Sequence, residues 1–191
     1  MIYRIHFNSE AYKQFDLSEL DLFDSVERYM DWDEFEVITT KGGSFDGKWS
    51  DCSATWMDSI SDENITPDIA VWDRSRWLVL SEKAYEALNG ILTPYGEFLP
   101  ITIDGTPWHV FNCLNVVDVD HCRSKASFES GVYFDVSEIH FKEGVESDQL
   151  VFTTDYTQRG IMYCSDTFKT LIESTELTGL TFNKDLTSFE S

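Results

Sequence analysis

Basic residues are scarce in this chain. Lys and Arg number 14 among 191 residues against 35 Asp and Glu, a formal net charge of −21 at pH 7. A surface so negative repels nucleic acid and anionic lipid, which excludes direct nucleic-acid binding as an expected function. Long apolar runs are lacking too. No stretch of 18 apolar residues occurs, and the opening MIYRIHFNSEAYKQF holds no apolar run of signal-peptide length. The chain is therefore expected to avoid membranes and to stay in the cytoplasm. Four cysteines (Cys52, Cys113, Cys122, Cys164) lie far apart with no Cys-x-x-Cys pair. In a protein that is not secreted they are expected to be free, buried thiols.

Signatures of catalysis are missing as well. No Ser sits in a G-x-S-x-G elbow and no Cys in a recognisable nucleophile motif; His109 and Cys113 are near enough in sequence to meet, but nothing around them completes a site. The glycines form no G-x-G-x-x-G loop, and Lys41-Gly42-Gly43-Ser44 lacks the preceding pattern of a phosphate-binding loop. Asp118-Val119-Asp120-His121-Cys122 is the densest set of potential metal ligands. It lacks the second Cys or His at short spacing that a zinc site needs, and in a strand His121 would leave the face that Asp118 and Asp120 share. His6, His109 and His140 sit in strand-like aromatic surroundings, the usual setting of a core or cross-strand histidine. No catalytic residue, cofactor or metal is expected.

What the chain does have is a core. At 42% hydrophobic and 15% aromatic residues it can bury enough surface to fold as one domain without disulfides or metal. The acidity belongs to that folded body: residues 1–60, 61–120 and 121–191 carry −8, −7 and −6. Such a field attracts basic proteins and accelerates their association about 10 to 1,000-fold at low salt.

Hydrophobic periodicity lays down strands and short helices. IYRIHF (2–7) reads as a strand. Leu17, Leu20, Phe23, Val26 and Met30 recur at helical spacing, and EFEVITT (34–40) alternates as a strand closed by Gly42-Gly43. Residues 44–66 read as irregular, with a short strand around Ala54–Met57. IAVW and WLVL are strands, and Ser81 caps a helix lined by Ala84, Tyr85, Leu88 and Leu92 that Pro94 and Gly96 stop. FLPITI and WHVFNCL flank Asp104-Gly105, a strong hairpin signal. Residues 131–142 and 149–154 add strand-like runs. IMYC-SDTFKTLI then repeats the strand, Ser, acid, helix layout of WLVL-SEKAYEAL, either as an internal duplication or as a shared capping solution.

One cluster has the composition of a partner-binding surface. Asp31, Trp32, Asp33, Glu34 and Glu36 place an aromatic among four acids, and Asp58, Asp62 and Glu63 follow. Interfaces combine a desolvated aromatic anchor with a charged, steering rim in this way.

From residue 67 the chain resembles a bacterial immunity-protein family found beside polymorphic toxins and formerly described as a domain of unknown function. The likeness is carried by Pro67-Asp68-Ile69, the helix start Ser81-Glu82-Lys83-Ala84-Tyr85, Gly96-Glu97-Phe98-Leu99-Pro100-Ile101, Val117–Asp120 with Ser124, and a closing helix followed by Gly179 and Phe182. It spans residues 67–183. The resemblance implies an α+β fold, a mostly antiparallel or mixed sheet with a few short helices packed on it. It also implies stoichiometric binding of a cognate toxin, with no catalytic residues to carry over. Residues 1–62 are expected to form an N-terminal α+β region that supplies partner specificity, packed as one unit with a core of 63–191. The competing expectation is a small hydrolase that reverses a toxin's modification or acts on a small substrate, using Asp118, Asp120 and His121.

Overall fold

The structure, a computed structural model, describes residues 1–45, 47–57, 65–72 and 76–187. IYRIHF forms β1 (Ile2–Phe7), and the short β2 (Phe15–Asp16) follows. Ser18 then opens helix α1 (Glu19–Val26) with a capping box. Its hydroxyl accepts the Asp21 N–H at 3.1 Å, and the Asp21 carboxylate accepts the Ser18 N–H at 3.3 Å. The helix buries Leu22 and Val26, while Leu20, expected on its apolar face, is 65% exposed.

Residues 34–40, expected as a strand, are instead the body of helix α2 (Trp32–Lys41). The Asp31 carboxylate accepts the Glu34 N–H at 2.9 Å, and Asp33 and Glu34 sit at the positive end of the helix. Gly42 closes it at φ +68°, its N–H bonded to Ile38 O. The buried residues Phe35, Ile38 and Thr39 follow helical spacing. The alternating pattern would have buried Val37, which is 50% exposed.

Strand β3 (Cys52–Trp56) overlaps the short strand expected around Ala54–Met57 and begins two residues earlier. The next elements follow the sequence closely: β4 (Ile69–Trp72), β5 (Trp77–Ser81), α3 (Glu82–Leu92), a 3₁₀ turn at Thr93–Tyr95, β6 (Gly96–Ile103) and β7 (Thr106–Cys113). Asp104 and Gly105 turn the β6–β7 hairpin with φ of 48° and 75°, the left-handed pair a two-residue turn requires. Strands β8 (Lys125–Glu129) and β9 (Val132–Glu138) form a separate ribbon. The chain ends through α4 (Val145–Asp148), β10 (Val151–Phe152), β11 (Tyr163–Ser165), α5 (Asp166–Ser174) and β12 (Leu180–Asn183).

The fold is α+β. Six strands in the order β2-β3-β6-β7-β5-β4 make a mixed sheet in which only β3–β6 is parallel; four in the order β10-β11-β1-β12 make an antiparallel one. Strand β5 is apolar from Trp77 to Leu80 because both its faces are covered there. Trp77 and Val79 point into a cluster with Leu22, Val26, Phe35 and Ile38 of α1 and α2. Leu78 and Leu80 point the other way, into a cluster with Ala84, Leu88 and Leu92 of α3, Phe168 and Ile172 of α5, and Tyr3 and Ile5 of β1. The four-stranded sheet turns Phe152 and Tyr163 towards a third cluster, which the β8–β9 ribbon covers with Tyr133 and Val136. The described residues of the N-terminal region are thus woven into both sheets: β1 pairs with β11 and β12, and β3 pairs with β6.

The family-like positions act as joints. The Asp68 carboxylate accepts the Thr178 N–H and hydroxyl, each at 2.9 Å, and Lys83 Nζ at 3.1 Å. Burial opposes its ionisation, yet these bonds hold its carboxyl below the usual carboxylate range. Pro100 lacks an N–H and lies one residue before the β3 pairing begins at Ile101; its carbonyl accepts the Trp49 indole N–H at 2.6 Å. Ser81 caps α3 by accepting the Ala84 N–H at 3.2 Å. Ser165 occupies the corresponding position before α5 but makes no side-chain cap bond. Gly179 does not end a helix; it precedes β12, at φ +111°.

Candidate functional site

Helices α1 and α2 pack side by side through aromatic edges. Phe23 meets Trp32 at 4.9 Å and Phe35 at 5.3 Å between ring centroids, and Trp32 meets Phe35 at 5.6 Å. Phe35 is fully buried and anchors the pair, whereas Trp32 keeps 38% of its surface exposed. Asp31, Asp33, Glu34 and Glu36, on the same helix and its cap, are all exposed. Asp31 is the helix cap, and Glu34 pairs with Lys48. The predicted cluster on α2 therefore comes together. Asp58, Asp62 and Glu63 lie outside the described residues.

Helix α1 enlarges this face. Glu19, Asp21, Asp24 and Glu27 are exposed beside Leu20, and Asp16 precedes them. Residues 16–36 hold nine acids and one base, Arg28, whose guanidinium lies 4.5 Å from the Tyr29 ring centroid. Leu20, Tyr29, Trp32 and Val37 are the exposed apolar residues among these charges. The α1 helix was legible from its apolar spacing. The union of its acids with 31–36 was not, because reading 34–40 as a strand separated the two segments.

Behind the helical pair, facing the β4–β5 end of the mixed sheet, is a cleft of about 280 Å³. Glu19, Thr39 and Thr40 come to it from the helices, and Trp72, Arg76 and Trp77 from the sheet side. The two indoles lie 4.7 Å apart at 47°. Trp72 donates its N–H to Leu17 O at 3.1 Å, while the Trp77 N–H is buried with no acceptor among the described residues.

The residues of the hydrolase reading meet only in part. His121 Nε2 lies 2.9 Å from Asp118 Oδ1, and Lys142 Nζ 3.0 Å from Asp118 Oδ2. The lysine, then the imidazole, hold the Asp118 carboxyl below its ordinary range against a small desolvation effect. Asp120 turns instead to the backbone, accepting the Cys122 N–H at 3.0 Å. Among the described residues, no group of three or more His, Cys, Asp or Glu side chains is placed to hold a metal. Burial pushes the Cys52 and Cys113 thiols up to about 12, so both are neutral at neutral pH and poor nucleophiles. His109 is bonded to Glu82 at 3.0 Å and stacked on Tyr85, not paired with Cys113, whose Sγ–H points to Asn115 O.

No helix of the described residues is long and apolar enough to cross a membrane. No protein-family model matches the sequence, and no curated protein matches it.

Proposed function

We propose that this chain is an immunity protein, one that neutralises a cognate antibacterial toxin in the cytoplasm by stoichiometric protein–protein binding. The observation that carries the reading is the exposed surface of α1 and α2, where residues 16–36 hold nine exposed acids and Leu20, Trp32 and Val37 are exposed in the same two helices. Apolar residues inside a charged rim are the anatomy of an electrostatically steered interface. The complementary partner is basic, as suits a toxin that acts on nucleic acid. The resemblance over residues 67–183 supports the same role, and the packing supports a division of labour. The family-like part supplies most of both sheets, while the acidic helices sit on an outer face.

Co-expression with a candidate cognate toxin tests the reading. Growth is restored and a complex of fixed stoichiometry co-purifies. Reversing Asp31, Asp33, Glu34 and Glu36 to Lys slows association on the order of tenfold or more at low salt and weakens protection. Rescue at substoichiometric amounts with no complex sinks the binding model. An unchanged association rate removes α2 from the interface.

A further inference from the structure

The β8–β9 ribbon leaves its outer strand open. Among the described residues β8 pairs with β9 alone, so one edge of the ribbon has no neighbouring strand. Ser130 and Gly131, at φ 53° and 86°, form a two-residue turn, which makes Glu129 and Val132 a hydrogen-bonded pair. Alternation from that pair turns the N–H and C=O of Phe128 and Ala126 outward. Gln158 Nε2 follows the same alternation on β9, donating to the outward Tyr133 O at 2.9 Å. The usual guards of an open edge are weak on β8. It holds no Pro, the ribbon's bulge with Asp135 at φ 47° lies on β9, and its one lysine, Lys125, is bonded to Glu138 of its own ribbon. The open strand also carries Phe128, 61% exposed, and β9 exposes Val132 and Phe134.

We propose that β8 pairs antiparallel with β8 of a second copy of this chain, about a two-fold axis at Ser127, joining two ribbons into one sheet. In that register Ala126 faces Phe128 of the other copy, and these outward-turned residues exchange both N–H···O bonds. Lys125 faces Glu129 on each side of the axis, so the strand is complementary to itself in charge. It is complementary in size as well. Ala126 is small and packs against the third cluster, whereas Phe128 is large and left in solvent, so each Phe128 covers the other copy's Ala126. Centring the pairing on Phe128 would instead set Glu129 against Ser127 and Lys125 against Gly131, opposing no charges. The contact uses the same patch on both copies and closes at two. A net charge of −21 on each copy works against it, and strands of five residues bury little surface, so the dimer is weak and requires screening salt.

Sedimentation velocity of the full chain in about 0.15 M NaCl tests the pairing, and a monomer–dimer equilibrium with Kd on the order of 100 µM is expected. Glu129→Lys weakens it on the order of tenfold even though it lowers the net negative charge, because lysines then oppose each other on both sides of the axis. Lys125→Glu weakens it likewise, and mixing the two variants restores dimers, since each lysine again meets a glutamate. A second measurement leaves these charges alone. With Cys122, exposed where a buried thiol is expected, replaced by Ser, Ser127→Cys crosslinks to its own copy on oxidation and Ser137→Cys on β9 does not. Unfolding midpoints close to that of the unaltered chain show that the variants are folded. A chain that stays monomeric to about 0.5 mM, no recovery on mixing, or equal crosslinking at positions 127 and 137 overturns the proposal. So does protection of the Phe128 amide from exchange only in a toxin complex, which would assign the open edge to a strand of the toxin. None of these outcomes bears on the immunity reading.

Discussion

A Cβ placed on Gly179 would lie 2.0 Å from the Ile69 carbonyl oxygen and 2.8 Å from Pro67 Cβ, at a φ of +111° that other residues rarely adopt. The close approach has a purpose. Thr178 O accepts the Ile69 N–H at 2.9 Å and Gly179 O accepts the Asn8 N–H at 3.0 Å, so this turn ties the end of β1 to the start of β4. Gly179→Ala must push backbone against backbone and is expected to cost about 3 kcal/mol or more. Gly105→Ala meets open space at φ +75° and should cost only about 1 kcal/mol. Urea unfolding with an unchanged m-value distinguishes them; equal losses would show that the Ile69 contact is not what constrains Gly179. From sequence, Gly179 looked like a helix stop, because its partners in residues 67–69 lie more than a hundred positions away. Asp104-Gly105 was readable because a two-residue turn is wholly local.

The same difference between local and distant causes runs through the elements. Helix α2 carried its own signals in Asp31 as cap, acids in the first turn, Lys41 in the last and Gly42 beyond it. They were outweighed by an alternation that short segments produce by chance. Strand β5 was plain from WLVL, and helix α3 from Ser81 and its apolar spacing. The likeness of β5–α3 to β11–α5 extends to packing, since both helices enter one core with Leu80, Leu88, Phe168 and Ile172. It fails at the cap. Ser81 Oγ accepts the Ala84 N–H, whereas Ser165 Oγ is buried and has no partner among the described residues. Ser81→Ala should therefore lower stability by about 1 kcal/mol. Ser165→Ala removes a buried hydroxyl that no bond compensates and should leave stability unchanged or raise it. Paired thermal melts measure the contrast, and equal destabilisation would show that Ser165 is also a working cap.

At the scale of the whole molecule, the charge that was plain in the composition acts twice, with opposite consequences for salt. Averaged over thirds of the chain it looked uniform, and only the helical structure of both segments shows that the nine acids of residues 16–36 are all exposed on α1, α2 and their flanks. The layered order was equally hidden, because β1 joins β11 and β12 across nearly the full chain length. A body of net charge −21 repels itself, most strongly where those acids crowd. Screening relieves this once the Debye length falls from about 30 Å at 0.01 M salt to about 8 Å at physiological ionic strength. The urea midpoint of the isolated chain should accordingly rise with NaCl over that range. The association rate with a basic partner should fall over the same range, because the same field steers the encounter. Measured together, opposite slopes would tie both effects to one acidic surface. A midpoint that falls with salt would mean that attractive ion pairs such as Lys48–Glu34 and Lys125–Glu138 outweigh the repulsion. An association rate indifferent to salt would mean that the partner meets an apolar face rather than the acidic one.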